Sequence, residues 1–333
     1  NDACEQINDF IKLCSVNPLT IVFNYQSEGF QQGLIHHMND VVKKLVTEYG
    51  YDINMFLYHS GSWSIAANVK FYNDIPLDFL PKNILLDSTP LEGAFYTNKI
   101  NREIVINTKP KKFLSMNGVP RTVRRLAVSR LLAQNLIKES FYSLNTAMHH
   151  SVYPESFELN KYNNVVVDIA KKIKEPMILS KNFTNNDYED RIKQEDVYYF
   201  DNSYFSLVQE TFYDNTLDPS SGDLAFYENI FITEKTFRPI YFKHPFVMLG
   251  VKGSLAGLKE YGYKTFSPYF DESYDEIDDP VLRLETAMNE VTRLCSLSDD
   301  EWLTIQLALL PILEYNYKVL SSGNTKKLLG KRL

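Results

Sequence analysis

The chain has 333 residues, more than one simple core accommodates and best fitted by two domains. Apolar residues make up 44% and charged residues 23%, the balance of a soluble globular protein, and 22 Tyr and 21 Phe can supply both cores and stacking surfaces. The net charge of −7 gives no global field toward nucleic acid or anionic membrane, and no run approaches the roughly 18 to 20 apolar residues of a membrane span. The sequence opens on polar residues without a signal-peptide pattern. Cys4, Cys14 and Cys295 are odd in number and lack CxxC spacing. Together these features predict a cytoplasmic protein without a zinc site.

In chain order, residues 1–18 predict a short helix and a linker ending at Pro18. Residues 20–25 (TIVFNY) are β-rich, and turn residues follow at Ser27, Glu28 and Gly29. Leu34, Met38, Val41, Val42, Leu45 and Val46 then show helical spacing over 30–48. Residues 53–58 (INMFLY) and 83–86 (NILL) predict a second and a third strand, and 102–107 a fourth. Strands alternating with helices predict an α/β layer with a mostly parallel sheet. Ligands in such sheets bind beyond the carboxyl ends of the strands, which singles out 24–28, 59–63 and 87–92.

A break falls at 108–112 (TKPKK). Residues 112–116 predict a strand, Asn117-Gly118 a tight turn, and Pro120 the start of a helix running to about Lys138. Arg121, Arg124 and Arg125 share one face at its start. Strand, turn and basic helix start make a phosphate-receptive arrangement, although a solvated basic face carries the same pattern. The GxxxxGK[ST] spacing of a P-loop is absent. Further elements are predicted at 140–144, 165–174 and 177–179, with a polar insertion at 182–194 and renewed β character at 204–211 (YFSLVQET).

The stretch 231–250 (FITEKTFRPIYFKHPFVMLG) reads as a loop, a helix opening at Thr233, and a buried strand at 246–249. Thr233 is a predicted N-cap and Glu234 suits the positive end of the helix. Lys235 opposes the macrodipole, which makes sense if an anion binds there; the competing reading is a solvated lysine on an ordinary first turn. Beyond it, 254–261 predicts a helix and 263–266 a short strand. The acidic run 271–279 (DESYDEIDD) lacks EF-hand spacing and reads as a loop capping the next helix rather than a magnesium site. Two amphipathic helices follow at 280–296 and 299–320. The pairs His36-His37 and His149-His150 suit a metal poorly, and GxSxG, HExxH and GxGxxG are all absent.

Four segments taken together carry a family resemblance. Residues 231–235 (FITEK), followed by a helix and a Pro-Phe-Val-Met-Leu-Gly strand, resemble the donor-binding signature of the α-1,3-fucosyltransferases. The 113–117 strand with Pro120-Arg121 and Arg124-Arg125 resembles the strand and arginine-bearing helix that open the second domain of that family. Residues 204–210 resemble the strand before the signature. The run from Gly253 through Asp275 is similar to uncharacterised viral and bacterial glycosyltransferase-like proteins. The resemblance spans about 110–320. Two departures stand out: Pro239 interrupts the helix after Arg238, and Tyr227-Glu228-Asn229 replaces the Asn-Tyr-Cys segment that often precedes the signature.

The resemblance implies an α/β, GT-B-like fold with two Rossmann-like domains facing a cleft. An acceptor domain would span 1–108, a nucleotide-sugar-binding domain 109–320 and a tail 321–333, with the final helix bracing the first domain. Position by position, Glu234 would bind the donor ribose and Lys235 the diphosphate. One of Arg121, Arg124 and Arg125 would offset charge on the departing nucleoside diphosphate. Asn117, Thr233 and Arg238 complete the expected donor-binding set. The implied activity is inverting, metal-independent transfer from a GDP- or UDP-sugar to a hydroxyl on a glycan, lipid-linked sugar or modified base. An inverting step needs a carboxylate to take the acceptor proton. Glu28, after the first strand, is the first candidate, followed by Glu92 and Asp87 after the third. Two other classes stand beside this one. A non-catalytic nucleotide- or glycan-binding protein would keep the same cleft. A DNA-base glycosyltransferase would draw on the basic segment 109–130, against the negative net charge.

Overall fold

Short β-rich segments separated by helical ones build two sheets, one in each of two units. The structure, a computed structural model, describes residues 3–13, 21–25, 32–52, 56–60, 83–86, 102–118, 121–144, 169, 196–214, 230, 232–321 and 327–328. One unit comprises 1–91, 221–229 and 325–333; the other comprises 92–220 and 230–324.

In the first unit, strands β1 (Ile21–Tyr25), β2 (Phe56–Ser60) and β3 (Asn83–Leu86) run parallel in that order. Strand β8 (Lys327–Leu328) closes the edge antiparallel to β3, pairing Leu328 with Leu85. The stretch expected to follow the second domain as a tail thus supplies a strand of the first sheet. Helices α1 (Ala3–Leu13) and α2 (Gln32–Thr47) meet through Cys4, Val41, Val42 and Leu45, with Ile7, Val46, Tyr49 and Tyr51 packed around them.

The second unit contains β4 (Lys111–Asn117), α3 (Thr122–Ala133), β5 (Ser140–Leu144), α4 (Asp196–Asp201), β6 (Ser203–Gln209), α5 (Glu234–Tyr241) and β7 (Phe246–Leu249). Helices α6 (Ser254–Glu260), α7 (Pro280–Ser296) and α8 (Asp299–Ser321) follow. Its sheet has the order β5-β4-β6-β7, with every neighbouring pair parallel. From β4 the chain moves outward to β5, then returns to the other side of β4 for β6 and β7. Strand β6 is buried at every position, as expected of a parallel strand covered on both faces. Trp302 of α8 is buried, stacks on Tyr204 at 4.7 Å between centroids, and satisfies its indole N–H at the Leu294 carbonyl. The protein is therefore α/β, with a parallel four-stranded sheet in its larger unit. Among the described residues no helix is long and apolar enough to cross a membrane.

Three expected elements differ. Residues 102–107 form no strand; Arg102 instead ties this segment to the rest of the second unit, reaching Asp201 at 2.6 Å, the Phe200 carbonyl at 2.9 Å and the Phe242 carbonyl. The helix expected to reach Lys138 stops at Ala133. Asn135 turns into the left-handed region (φ 57°), and Leu136 N–H closes on the Leu131 carbonyl at 2.8 Å. Residues 263–266 form no strand either, because side chains stand in for a neighbouring one. Asn316 bonds both backbone groups of Lys264 at 2.8 Å, and Glu272 accepts from Phe266 N–H at 2.6 Å. The elements expected at 165–174 (Ile169 apart), 177–179 and 182–194 lie outside the described residues.

Candidate functional site

In an open parallel sheet, strand order reverses at one point, and neighbouring connections leave a crevice there at the carboxyl ends. Here that point lies between β4 and β6, which end at Asn117 and Gln209.

A buried polar layer occupies it. The Ser115 hydroxyl donates to the Leu207 carbonyl at 2.7 Å, so its lone pairs are left to accept from Asn117 Nδ2 at 3.0 Å and Gln209 Nε2 at 3.2 Å. Gln209 Nε2 also reaches the Tyr142 hydroxyl at 3.2 Å. These donors fix the orientation of both amides. Asn117 Oδ1 and Gln209 Oε1, both buried, have no hydrogen-bond partner among the described residues. Burial pushes the Tyr142 phenol well above its ordinary range, so it remains a hydroxyl.

Arg124 comes to this layer from the first turn of α3. It is 2% exposed, and its Nη2 donates to the carbonyls of Gln209 at 3.2 Å and Glu210 at 3.3 Å. Burial, followed by the charge of Arg121, pushes its guanidinium down to about 10. That still leaves it protonated at neutral pH. The three arginines expected to share a face act differently. Arg121 takes the N-cap position of α3 and lies over the Phe212 ring at 5.9 Å, and Arg125 is buried with its carbonyl accepting from the Ser129 hydroxyl.

Helix α5 opens at the same end of the sheet. Thr233 is its N-cap, accepting from Lys235 N–H at 3.4 Å. Behind it sits Glu210, the residue after β6 and 1% exposed. Its carboxylate accepts from Thr233 N–H at 3.1 Å, the Thr233 hydroxyl at 2.5 Å and the Thr236 hydroxyl at 2.5 Å. Lys235 Nζ donates to the hydroxyls of Thr211 and Thr233, each at 3.1 Å, and to Glu234 at 3.0 Å. Arg238 Nη1 reaches the Met116 sulfur at 3.4 Å, which brings a further guanidinium to the end of β4. Pro239 does not interrupt the helix. It removes only the N–H that would reach the Lys235 carbonyl, and α5 continues to Tyr241.

Asn117, Arg124, Thr233, Glu234, Lys235 and Arg238 are thus brought to the carboxyl ends of β4 and β6, with Arg121 beside Arg124. Glu28, Asp87 and Glu92 lie outside the described residues. Ser115, Gln209 and Glu210 were not anticipated; the only trace of Glu210 in the sequence is an acid at the end of a β-rich run.

The acidic loop serves protein donors. Asp275 accepts from Leu255 N–H and Ala256 N–H at 3.0 Å each, and Asp279 caps α7 through Leu282 N–H at 2.8 Å. Glu272 accepts from the Thr265 hydroxyl at 2.6 Å. Among the described residues no group of three or more His, Cys, Asp and Glu could hold a metal. Comparisons with protein-family models, with curated proteins and with solved structures return no match to this chain.

Proposed function

We propose that the protein is a glycosyltransferase that takes a sugar from a GDP- or UDP-sugar and passes it, by inverting and metal-independent transfer, to a hydroxyl of a glycan-type acceptor. One observation carries this reading. The start of α5, Lys235, Arg124 and Arg238 converge on the switch point of a parallel sheet, the place where such sheets take nucleotide ligands. The Thr-Glu-Lys order and its resemblance to the fucosyltransferase signature support the same reading.

In this proposal the diphosphate lies against the first turn of α5, and Lys235 exchanges at least one of its protein acceptors for a phosphoryl oxygen. Transfer leaves new negative charge on the nucleoside diphosphate, which fixed cations stabilise without reorganisation. Glu234 holds the ribose hydroxyls. The proton of the acceptor hydroxyl passes to a carboxylate, with Glu28 the first choice and Glu92 and Asp87 after it.

Calorimetry of the wild-type protein with GDP, UDP, ADP and CDP tests the reading. Saturable binding of GDP or UDP is expected; no binding to any of the four overturns it. Binding without donor turnover or donor hydrolysis, whatever acceptor is supplied, moves the conclusion to a nucleotide- or glycan-binding protein.

A further inference from the structure

The least expected group at the switch point is Glu210, a carboxylate 1% exposed whose side-chain hydrogen-bond donors, among the described residues, come from two threonines, with the charge of Arg124 close enough to be felt. Burying a carboxylate costs several kcal/mol unless its lone pairs are satisfied, and here the donors that satisfy them come from Thr233 and Thr236 at the start of α5. Its geometry points to what it does. A hydroxyl has one proton and two lone pairs. At 2.5 Å from Glu210 Oε2, Thr233 gives its proton to the carboxylate, and both its lone pairs then face Lys235, one toward the backbone N–H at 3.4 Å and one toward Nζ at 3.1 Å. A second hydroxyl, Thr236, ties the other carboxylate oxygen to the same helical turn. Glu210 itself is fixed from behind, through its N–H on the Leu249 carbonyl at 2.9 Å and through the Arg124 guanidinium on its own carbonyl.

We propose that Glu210 is a positioning residue for the nucleoside-diphosphate site: acting through the Thr233 hydroxyl, it sets the direction of the Lys235 ammonium. This rests on the proposed donor site for its ligand, but not for the relay itself. The relay joins the end of β6 to the start of α5 across 23 residues of sequence, and makes the aim of Lys235 depend on the proton of a neighbouring hydroxyl.

The test has a ligand-free arm and a ligand arm. In the first, wild-type protein, Glu210→Gln, Thr233→Val and Thr233→Ser are labelled with trace acetic anhydride, and acetylation of Lys235 is read by mass spectrometry against Lys259. Glu210→Gln and Thr233→Val are expected to raise Lys235 labelling several-fold, with Thr233→Ser, which keeps the hydroxyl, close to wild type. Unchanged labelling in both of the first two overturns the proposal. In the second arm, GDP and UDP are titrated into Glu210→Gln in the wild-type and the Lys235→Ala backgrounds. The loss is expected to be about tenfold in the former and nearly absent in the latter, because the two residues act in series. Equal losses in both backgrounds also overturn it, showing that Glu210 does not act through Lys235. If the wild-type protein binds neither nucleotide while labelling responds as expected, the positioning relay stands and the glycosyltransferase reading falls.

Discussion

Lys235 has three ammonium protons, and Thr211, Thr233 and Glu234 each accept from its Nζ at about 3 Å. A diphosphate must displace at least one of them. In the proposed complex the exchange would be favourable because both partners of the new bond are ionised, whereas a threonine hydroxyl is neutral. Lys235→Ala is therefore expected to weaken GDP or UDP binding by about 1.5–3 kcal/mol, read by calorimetry, and unchanged affinity would show that Lys235 is not a donor ligand. His244 gives a second, independent prediction. Its Nε2 faces the Ser203 carbonyl at 2.9 Å, which can only accept, so Nε2 carries the proton and Nδ1 accepts from the Ser206 hydroxyl at 2.8 Å. Burial, with the charge of Arg102 behind it, pushes the imidazole down to about 3. The folded value lies below the unfolded one of about 6.5, so the unfolded chain binds the proton first as pH falls. The contribution of His244 to stability is complete above that unfolded value and is lost toward pH 3, at about 1.4 kcal/mol per pH unit within the window. Denaturant unfolding between pH 4 and 6 should accordingly show a slope for His244→Gln that is shallower by about that amount; an identical slope contradicts the assignment.

At the scale of elements, two helix starts in the second unit, those of α5 and α6, are held by carboxylates from elsewhere in the chain. Asp275 accepts from two first-turn N–H groups of α6, and Glu210 accepts from the N–H and hydroxyl of Thr233, the N-cap of α5. Asp275→Ala should lower stability by about 1–2 kcal/mol, seen as a lower urea midpoint with an unchanged m-value. An unchanged midpoint would mean that solvent replaces the carboxylate at no cost. These long-range caps also mark the limit of what the sequence discloses. The Thr233 cap and the 246–249 strand were legible, because a cap and an apolar run are local signals. The end of α3 at Ala133 was not, since the αL asparagine two residues on leaves no clear mark inside a helix-favouring stretch. Residues 263–266 have strand composition, yet Asn316 and Glu272 occupy the positions of a partner strand, and no periodicity within the segment reports that. The burial of Arg124 was likewise invisible. Helical spacing shows which residues share a face, but not whether that face meets water or a strand end.

Across the whole molecule, each unit draws on distant parts of the chain. The first takes in 221–229 and 325–333, and its sheet ends on β8, which covers the free edge of β3. Deleting 325–333 should speed amide exchange in β3 by about tenfold, the equivalent of roughly one net backbone hydrogen bond, while β4, β6 and β7 stay as protected as before. Equal loosening of both sheets would contradict the assignment of β8 to the first unit. The larger unit carries the central claim, that the polar layer between β4 and β6 and the start of α5 form a nucleoside-diphosphate site. Its most direct test is a crystal structure of the protein grown with GDP or UDP. The diphosphate should lie within hydrogen-bond distance of Lys235 Nζ and the first-turn N–H groups of α5, on the side where Arg124 and Arg238 converge; a diphosphate bound away from α5 would contradict it.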